Sequence, residues 1–437
     1  MNNSTLGNIF KGDKVIWMIF FFLAIISLIE VYSASSQLTY KGGNYLGPIL
    51  KHASILFLGL VAMVLTVQVK PKYFKVATPF MLLLSLILLI WAFFSGQSTN
   101  DASRWVGLGF FTFQPSEIAK GALVLATAQI LSAMQTDNGA DKRAMHYILV
   151  VCAFIIPPIM LENLSTAMLI SVVIFMMMLI GRVPMVQLGK LMGVCILFVV
   201  FVIGMVMIFG HDTRLEEKQA QQTELVENVN GQEQTLDASE SLAPKKKKGV
   251  NSLFHRFDTW KMRILKFTEP KGNLRPEDID LDKDAQVAHA NIAIATSHIS
   301  GKGPGNSVER DFLSQAFSDF IYAIIIEELG IVGAFVIALL YIILLFRAGR
   351  IAHFCENAFP AYLVMGLALL LVTQALFNMC VAVGLAPVTG QPLPLVSKGG
   401  TSSIINCVYL GVMLSISRYA KRRNNNKEVE TSVSYEE

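Results

Sequence analysis

The sequence predicts an all-α polytopic membrane protein of about ten transmembrane helices, with a large extracytoplasmic loop between the seventh and the eighth. Three observations carry that prediction. Of 437 residues 53% are hydrophobic and only 16% are charged, against roughly 25% charged in soluble domains. Apolar stretches near the ~20 residues that cross a bilayer recur along the chain, as in "VIWMIFFFLAIISLIEVYSA" at 15 to 34 and "LLVTQALFNMCVAVGLA" at 370 to 386. Lysine and arginine, finally, recur in every second connection.

Taken in order, the expected spans lie near 15 to 34, 51 to 69, 76 to 94, 115 to 133, 146 to 161, 164 to 181, 186 to 209, 329 to 346, 359 to 385 and 402 to 418. The first follows a weakly basic N-terminus and reads as a retained anchor. Connections with Lys70, Lys72 and Lys75, with Lys142 and Arg143, with Arg182 and Lys190, and with Arg347 and Arg350 fall on one side, as does the tail after Arg418. The positive-inside rule puts that side, and both termini, in the cytoplasm. Residues 95 to 117, 162 to 163, 210 to 328 and 386 to 401 then share the outer face.

This divides the chain into helices one to seven over 1–209, the outer loop over 210–318, a docked segment with helices eight to ten over 319–420, and a cytoplasmic tail over 421–437. Residues 210–250 are polar, almost free of aromatics and without a period that buries a core, which reads as a disordered insert. After it, Phe254, Phe257, Trp260, Ile264 and Phe267 recur at helical intervals among basic residues, either on the outer leaflet or packed on the bundle.

Other classes are disfavoured. Five cysteines in or beside apolar segments give neither a disulfide framework nor metal-ligand spacing. A net charge of +4 and the lack of a basic stripe with interleaved aromatics argue against nucleic acid as a partner.

The polar residues of the outer face carry the chemistry. In "SQAFSDFIYAIIIEELG", starting the eighth span at Leu329 gives a helix of roughly 27 Å and makes Glu327 and Glu328 helix-start residues, favoured by the macrodipole. Asp319 sits in a segment too apolar for a solvated turn and too short to span, so it reads either as a partly desolvated general base or as a helix cap. Glu117 and Lys120, three apart after Pro115, share a face at a helix start and either pair or line a cavity. Arg104 lies in the loop before them. Gly301, Gly303 and Gly305, beside Lys302, form an anion-binding backbone or a flexible turn, since "GKGPGNS" lacks Walker spacing. Three prolines and three glycines over 387 to 400 make either one wall of a site, with Lys398 as a cationic contact, or a rigid re-entrant turn.

Together, "SRWVGLGFFTFQPSEIAK", "QVAHANIAIATSHISGKGPGNS", "SDFIYAIIIEELG" and "GLAPVTGQPLPLVSKGG" resemble the SEDS family (shape, elongation, division and sporulation), whose members include FtsW and RodA. The resemblance covers nearly all the chain except the insert. It implies ten membrane helices and a peptidoglycan glycosyltransferase that polymerises lipid II outside the bacterial cytoplasmic membrane. It also implies a class B penicillin-binding protein as transpeptidase partner, with other division proteins around them. Asp319 stands in the place of the family's essential aspartate and takes the role of base. Arg104, Lys120, Lys398 and Arg263 become candidates to hold pyrophosphate, with Glu117 orienting Lys120. Gln286, Ser297, Lys302, Pro392 and Ser397, within the same motifs, become candidate substrate contacts. A divalent cation, Mg or Mn, suits the charged leaving group. Three departures are "ENLSTA" at 162 to 167, Lys398 in place of an aromatic, and the insert. The "SKGGTS" text and the basic tail lean towards the division branch, FtsW. The competing readings are an elongation polymerase, a transporter of polyprenyl-linked sugar, and an inactive scaffold. Charges clustered at the outer ends of the spans favour the enzyme over the transporter.

Overall fold

The computed structural model describes residues 10–34, 46–95, 97–99, 102–108, 111–137, 139–209, 261, 281–313 and 318–434. The insert at 210–250, and the amphipathic stretch after it apart from one residue, lie outside the described residues. Two compact units are present, one of Met1–Leu188 with Arg275–Glu437, the other of Gly189–Leu274.

Eleven helices are described. They are α1 (Lys14–Ala34), α2 (Leu46–Gln68), α3 (Pro71–Ser95), α4 (Pro115–Ala133), α5 (Lys142–Glu162), α6 (Leu164–Ile180), α7 (Met185–Phe209), α8 (Leu281–Ala295), α9 (Ile321–His353), α10 (Ala358–Ala382) and α11 (Thr401–Ser434). Eight of them, α1, α2, α3, α5, α7, α9, α10 and α11, contain stretches long and apolar enough to cross a membrane, and α6 is a shorter apolar helix. Adding α4 gives the ten expected spans.

Local chemistry explains the boundaries. Asp13 caps α1, its Oδ1 accepting from the Val15 and Ile16 amides at 2.9 and 3.3 Å. Asp141 caps α5 by accepting from the Arg143 amide at 2.7 Å, and Asn163 caps α6 by accepting from Ser165 at 3.1 Å. Pro115 opens α4 at a position where a missing N–H costs nothing. Between α3 and α4 the chain forms a three-stranded antiparallel sheet, β1 (Gln97–Thr99), β2 (Ala102–Leu108) and β3 (Phe111–Phe113). The loop expected around Arg104 is therefore strand β2, where Trp105 and Val106 suit extended backbone.

In the larger unit, α10 is the central element, with Leu363, Val364, Leu367, Ala368, Leu371 and Ala375 all buried. Helices α4 and α11 approach closely because Gly121 has no side chain; a Cβ there would strike the Tyr409 ring. Tyr409 is thereby free to donate from its hydroxyl to the Glu117 carbonyl at 2.5 Å.

Helix α9 differs from expectation. It begins at Ile321, eight residues before Leu329, and breaks at Gly330, whose φ of 68° and ψ of −171° are non-helical. Glu327 and Glu328 consequently end a short first section instead of starting the long one. Both are fully buried.

Candidate active site

The turn before α9 carries Asp319, half-buried. Beside it Phe320 packs with Leu313, Ala323 and Ile324, with Ala290 and Ile294 of α8, and with Val388. That apolar plug anchors the turn, and hydrogen bonds set its direction. Asn378 on α10 donates from Nδ2 to the Asp319 carbonyl at 2.9 Å and to the Gln391 carbonyl at 2.7 Å. Ser397 donates to the Ser318 carbonyl at 2.6 Å while accepting from the Leu393 amide at 2.7 Å. Ser318 donates from Oγ to Asp319 Oδ1 at 2.8 Å.

One turn away on α10, Gln374 makes the matching set. Its Oε1 accepts from Lys120 Nζ at 2.7 Å and its Nε2 donates to the Pro392 carbonyl at 3.0 Å. Lys120 also pairs with Glu117 Oε1 at 2.9 Å, and both side chains are buried. Residues four apart on a helix stand about 5–6 Å from each other. Gln374 and Asn378 thus bring the ends of two separated motifs, Lys120 and the Asp319 turn, to one face of α10 and fix both to consecutive carbonyls of the 383–400 loop. Glu117 Oε2 and Asn378 Oδ1 are buried with no hydrogen-bond partner among the described residues.

The neighbouring loop is organised by the two glutamates. Glu327 Oε1 accepts from Lys302 Nζ at 2.6 Å and from the Val308 amide at 3.1 Å; its Oε2 accepts from Ser307 Oγ at 2.5 Å and the Glu309 amide at 3.4 Å. Glu328 accepts from the Ser33 hydroxyl and from the Gly305 amide, the latter at 3.0 Å. The break at Gly330 leaves carbonyls open, and the loop fills them: Lys302 N–H bonds to Glu327 O at 2.9 Å and Gly303 N–H to Glu328 O at 2.8 Å. Gly301 and Gly330 lie back to back, and a Cβ on either would overlap the other's backbone.

Of the residues nominated from sequence, Asp319, Glu117, Lys120, Pro392 and Ser397 converge on this centre. Pro392 enters through its carbonyl and Ser397 as a brace. Lys302 is committed to Glu327 and to Thr296 Oγ1, at 2.9 Å from the latter. Ser297 is buried and donates to the Ile294 carbonyl at 2.8 Å, closing the end of α8. Gln286 is half-buried on α8, one turn before Ala290. Lys398 is half-buried in the 383–400 loop, where burial and then the charge of Lys51 hold its ammonium below the usual lysine range. The Arg104 side chain and the whole of Arg263 lie outside the described residues. Gln374 and Asn378 were missed from sequence because they sit inside an apolar run; their spacing of four was the available signal.

Among the described residues no three His, Cys, Asp or Glu side chains gather into a metal cage. Mg²⁺ is commonly held by one or two carboxylates plus water and phosphate oxygens. The carboxylates of this centre are Asp319, which accepts from the Ser318 hydroxyl, and Glu117, which is paired with Lys120.

The fold and the site define a multi-pass membrane protein with a buried polar centre at one end of its helical bundle. The model of the FtsW/RodA/SpoVE family, described as cell cycle protein, matches residues 13–237 and 250–422, and the chain belongs to that family. It is 26% identical over 423 residues to the peptidoglycan glycosyltransferase MrdB of Escherichia coli K12, covering 96% of this chain and 97% of the relative. It is 28% identical over 418 residues to a probable peptidoglycan glycosyltransferase FtsW of Geobacter sp. M18, covering 93% and 96%. Among solved structures, a chain from a peptidoglycan synthase complex that coordinates polymerization and crosslinking superposes with a TM-score of 0.64 at 22% identity, covering 94% of this chain and 98% of that one. RodA of Thermus thermophilus superposes at 0.57 with 19% identity, covering 93% and 97%.

Proposed function

We propose that this chain is a peptidoglycan glycosyltransferase that polymerises lipid II at the outer face of the bacterial cytoplasmic membrane. The observation that carries the reading is the convergence of Asp319 and the Glu117–Lys120 pair on one face of α10, in a chain whose relatives across their full length are peptidoglycan glycosyltransferases. In the reaction a sugar hydroxyl of one lipid-linked disaccharide forms a C–O bond to the anomeric carbon of another. The bond from that carbon to the diphosphate breaks, and the polyprenyl diphosphate leaves with the electron pair. Asp319 takes the hydroxyl proton. Lys120, kept in place by Glu117 and Gln374, sets a positive field where charge gathers on the leaving group. From the sequence motifs, Arg104 and Arg263 are assigned to the diphosphate; Gln286 is assigned to the sugars.

Both termini are assigned to the cytoplasm by the positive-inside rule, which turns the Asp319 end outward. Within the activity we assign the division branch, from "SKGGTS" and the basic tail. The partner is a class B penicillin-binding protein, in line with the synthase complex that this fold resembles. The test is incubation of the purified protein and its transpeptidase partner with lipid II. Glycan strands support the reading; exchange of lipid II between leaflets of liposomes without any glycan would replace it with transport. A fluorescent fusion concentrated at the septum supports the division assignment, and one spread along the cell wall contradicts it.

A further inference from the structure

Ser27, Glu30 and Ser33 recur at every third position along one buried side of α1, none of them more than 3% exposed. The two serines are committed. Ser27 donates to the Val396 carbonyl at 2.7 Å and bonds to His52 Nε2 of α2 at 2.8 Å. Having a single hydroxyl proton, it must accept from Nε2–H, which leaves Nδ1 of the neutral ring an acceptor. Ser33 donates to Glu328 Oε1 and accepts from Arg310 Nη1 at 3.0 Å. The same Nη1 donates to the Gly305 carbonyl at 2.6 Å, while Arg310 Nε faces Asp311 Oδ1 at 3.5 Å. Glu30, between the serines, is fully buried, and neither of its carboxylate oxygens has a hydrogen-bond partner among the described residues. Both neighbouring hydroxyl protons are spent elsewhere.

A bare carboxylate inside a membrane bundle is costly unless it is paired. Two features of the fold raise that cost here. Helix α1 packs along α9, and the residue that Ser33 holds, one turn along from Glu30, is a second buried carboxylate, Glu328. Arg310 Nη1 lies 3.9 Å from Glu328 Oε1, so one guanidinium, on which Asp311 also draws, serves two buried acids. Each acid also stands near the C-terminal end of a helical section, Glu30 shortly before α1 stops at Ala34 and Glu328 just before the break at Gly330. The macrodipole disfavours negative charge at such an end and favours a cation. A proton would neutralise one carboxyl, but its O–H and C=O would still need partners, and His52 Nδ1, an acceptor on the same stripe, makes no hydrogen bond. A metal cation satisfies both oxygens of Glu30 at once. With one guanidinium already present, a single further positive charge completes the balance, which fits a monovalent ion.

We propose that Glu30 and Glu328, with Ser33 between them, hold an alkali-metal cation, sodium or potassium, at the C-terminal end of α1. The ion ties α1 to the section of α9 that precedes Gly330 and, through the bond from the Gly305 amide to Glu328 at 3.0 Å, to the loop that packs there. It takes no part in the proton transfer assigned to Asp319. The site stands or falls independently of the polymerase reading.

The experiment measures equilibrium binding of radiolabelled sodium, and of rubidium as a stand-in for potassium, to the full chain in nanodiscs, with choline chloride keeping the ionic strength constant. Wild type should bind one of the two ions saturably, and that ion should raise the thermal midpoint where choline does not. Glu30→Gln, which keeps the shape and removes the charge, should raise the Kd about tenfold or more, abolish the ion's effect on the midpoint, and melt no lower than wild type in choline. Glu30→Asp, which keeps the charge but withdraws it, should bind more weakly than wild type and more tightly than Glu30→Gln. No saturable binding by wild type, or the same Kd in wild type and Glu30→Gln, overturns the site. Stabilisation of wild type by acid and by neither ion gives the place to a proton and overturns it as well. Should Glu30→Gln fail to fold, Glu30→Asp decides: a raised Kd supports the site and an unchanged one overturns it.

Discussion

Asn378 donates from one side-chain amide to the carbonyl of Asp319 at 2.9 Å and to that of Gln391 at 2.7 Å, so a buried residue near the end of α10 sets where the proposed base stands. Replacing it with alanine leaves two carbonyls without that donor and frees the turn to move. A misplacement near 1 Å can cost about 100-fold in rate. Asn378→Ala should therefore lower glycan synthesis by roughly 10- to 100-fold with little change in KM, measured as initial polymerisation rate against lipid II concentration. A rise in KM with kcat intact would place Asn378 in binding instead.

The Glu117–Lys120 pair is buried, so removing one partner strands the other. Lys120→Met should destabilise the protein by about 3–5 kcal/mol, and pairing it with Glu117→Gln should recover a large part of that loss. Thermal unfolding in detergent reads both. Activity should stay low in the double variant, because the positive field is gone even where stability returns.

Glu327 holds the 302–309 loop through four donors. Glu327→Gln turns an acceptor-only group into one that also presents donors, so the Val308 and Glu309 amides lose part of their protection. Hydrogen exchange in residues 302–309 should speed up by about tenfold or more, while the α10 core is unchanged. Equal protection in wild type and variant would mean that the loop is held by its backbone bonds to the Glu327 and Glu328 carbonyls alone.

Lys398 has a lowered proton affinity from burial and from Lys51, with His52 the other titratable group facing it from α2. Its ammonium discharges before an ordinary lysine would, near 10.4. The unfolded chain binds more protons between the lowered value and ~10.4, so the penalty Lys398 places on stability fades as pH rises through that window. With Lys398 assigned to the diphosphate by the family resemblance, affinity for polyprenyl diphosphate should fall over the same window as the charge is lost. Lys398→Arg should hold its affinity flat there, since arginine stays protonated. Binding isotherms from pH 7 to 10 decide it.

The helical bundle was legible because hydrocarbon thickness and helical rise fix the length of an apolar run. Asp319 stood out as a carboxylate in an apolar setting, but its role came from the family resemblance. What escaped the sequence depends on distant partners. Glu327 and Glu328 look like the start of a helix until the loop 18 to 25 residues before them is folded onto their carboxylates, and the break at Gly330 is permitted by the close approach of Gly301. Gln374 and Asn378 were hidden by averaging, since two amides in a long apolar span barely change its hydropathy. The Ser27–His52 clasp joins α1 to α2 and, through the Val396 carbonyl, to the 383–400 loop, a meeting of distant segments that no local pattern encodes.

Asp319 is the proposed base of the glycosyl transfer. The measurement is polymerisation of lipid II by the purified protein with its transpeptidase partner, comparing wild type with Asp319→Asn and Asp319→Ala. Both variants should keep the wild-type thermal transition, because Asn378 and Ser397 hold the backbone of the turn rather than the carboxylate. Both should lose at least about 100-fold in rate, the scale of general-base catalysis. Glycan synthesis at the wild-type rate in either variant would contradict the account.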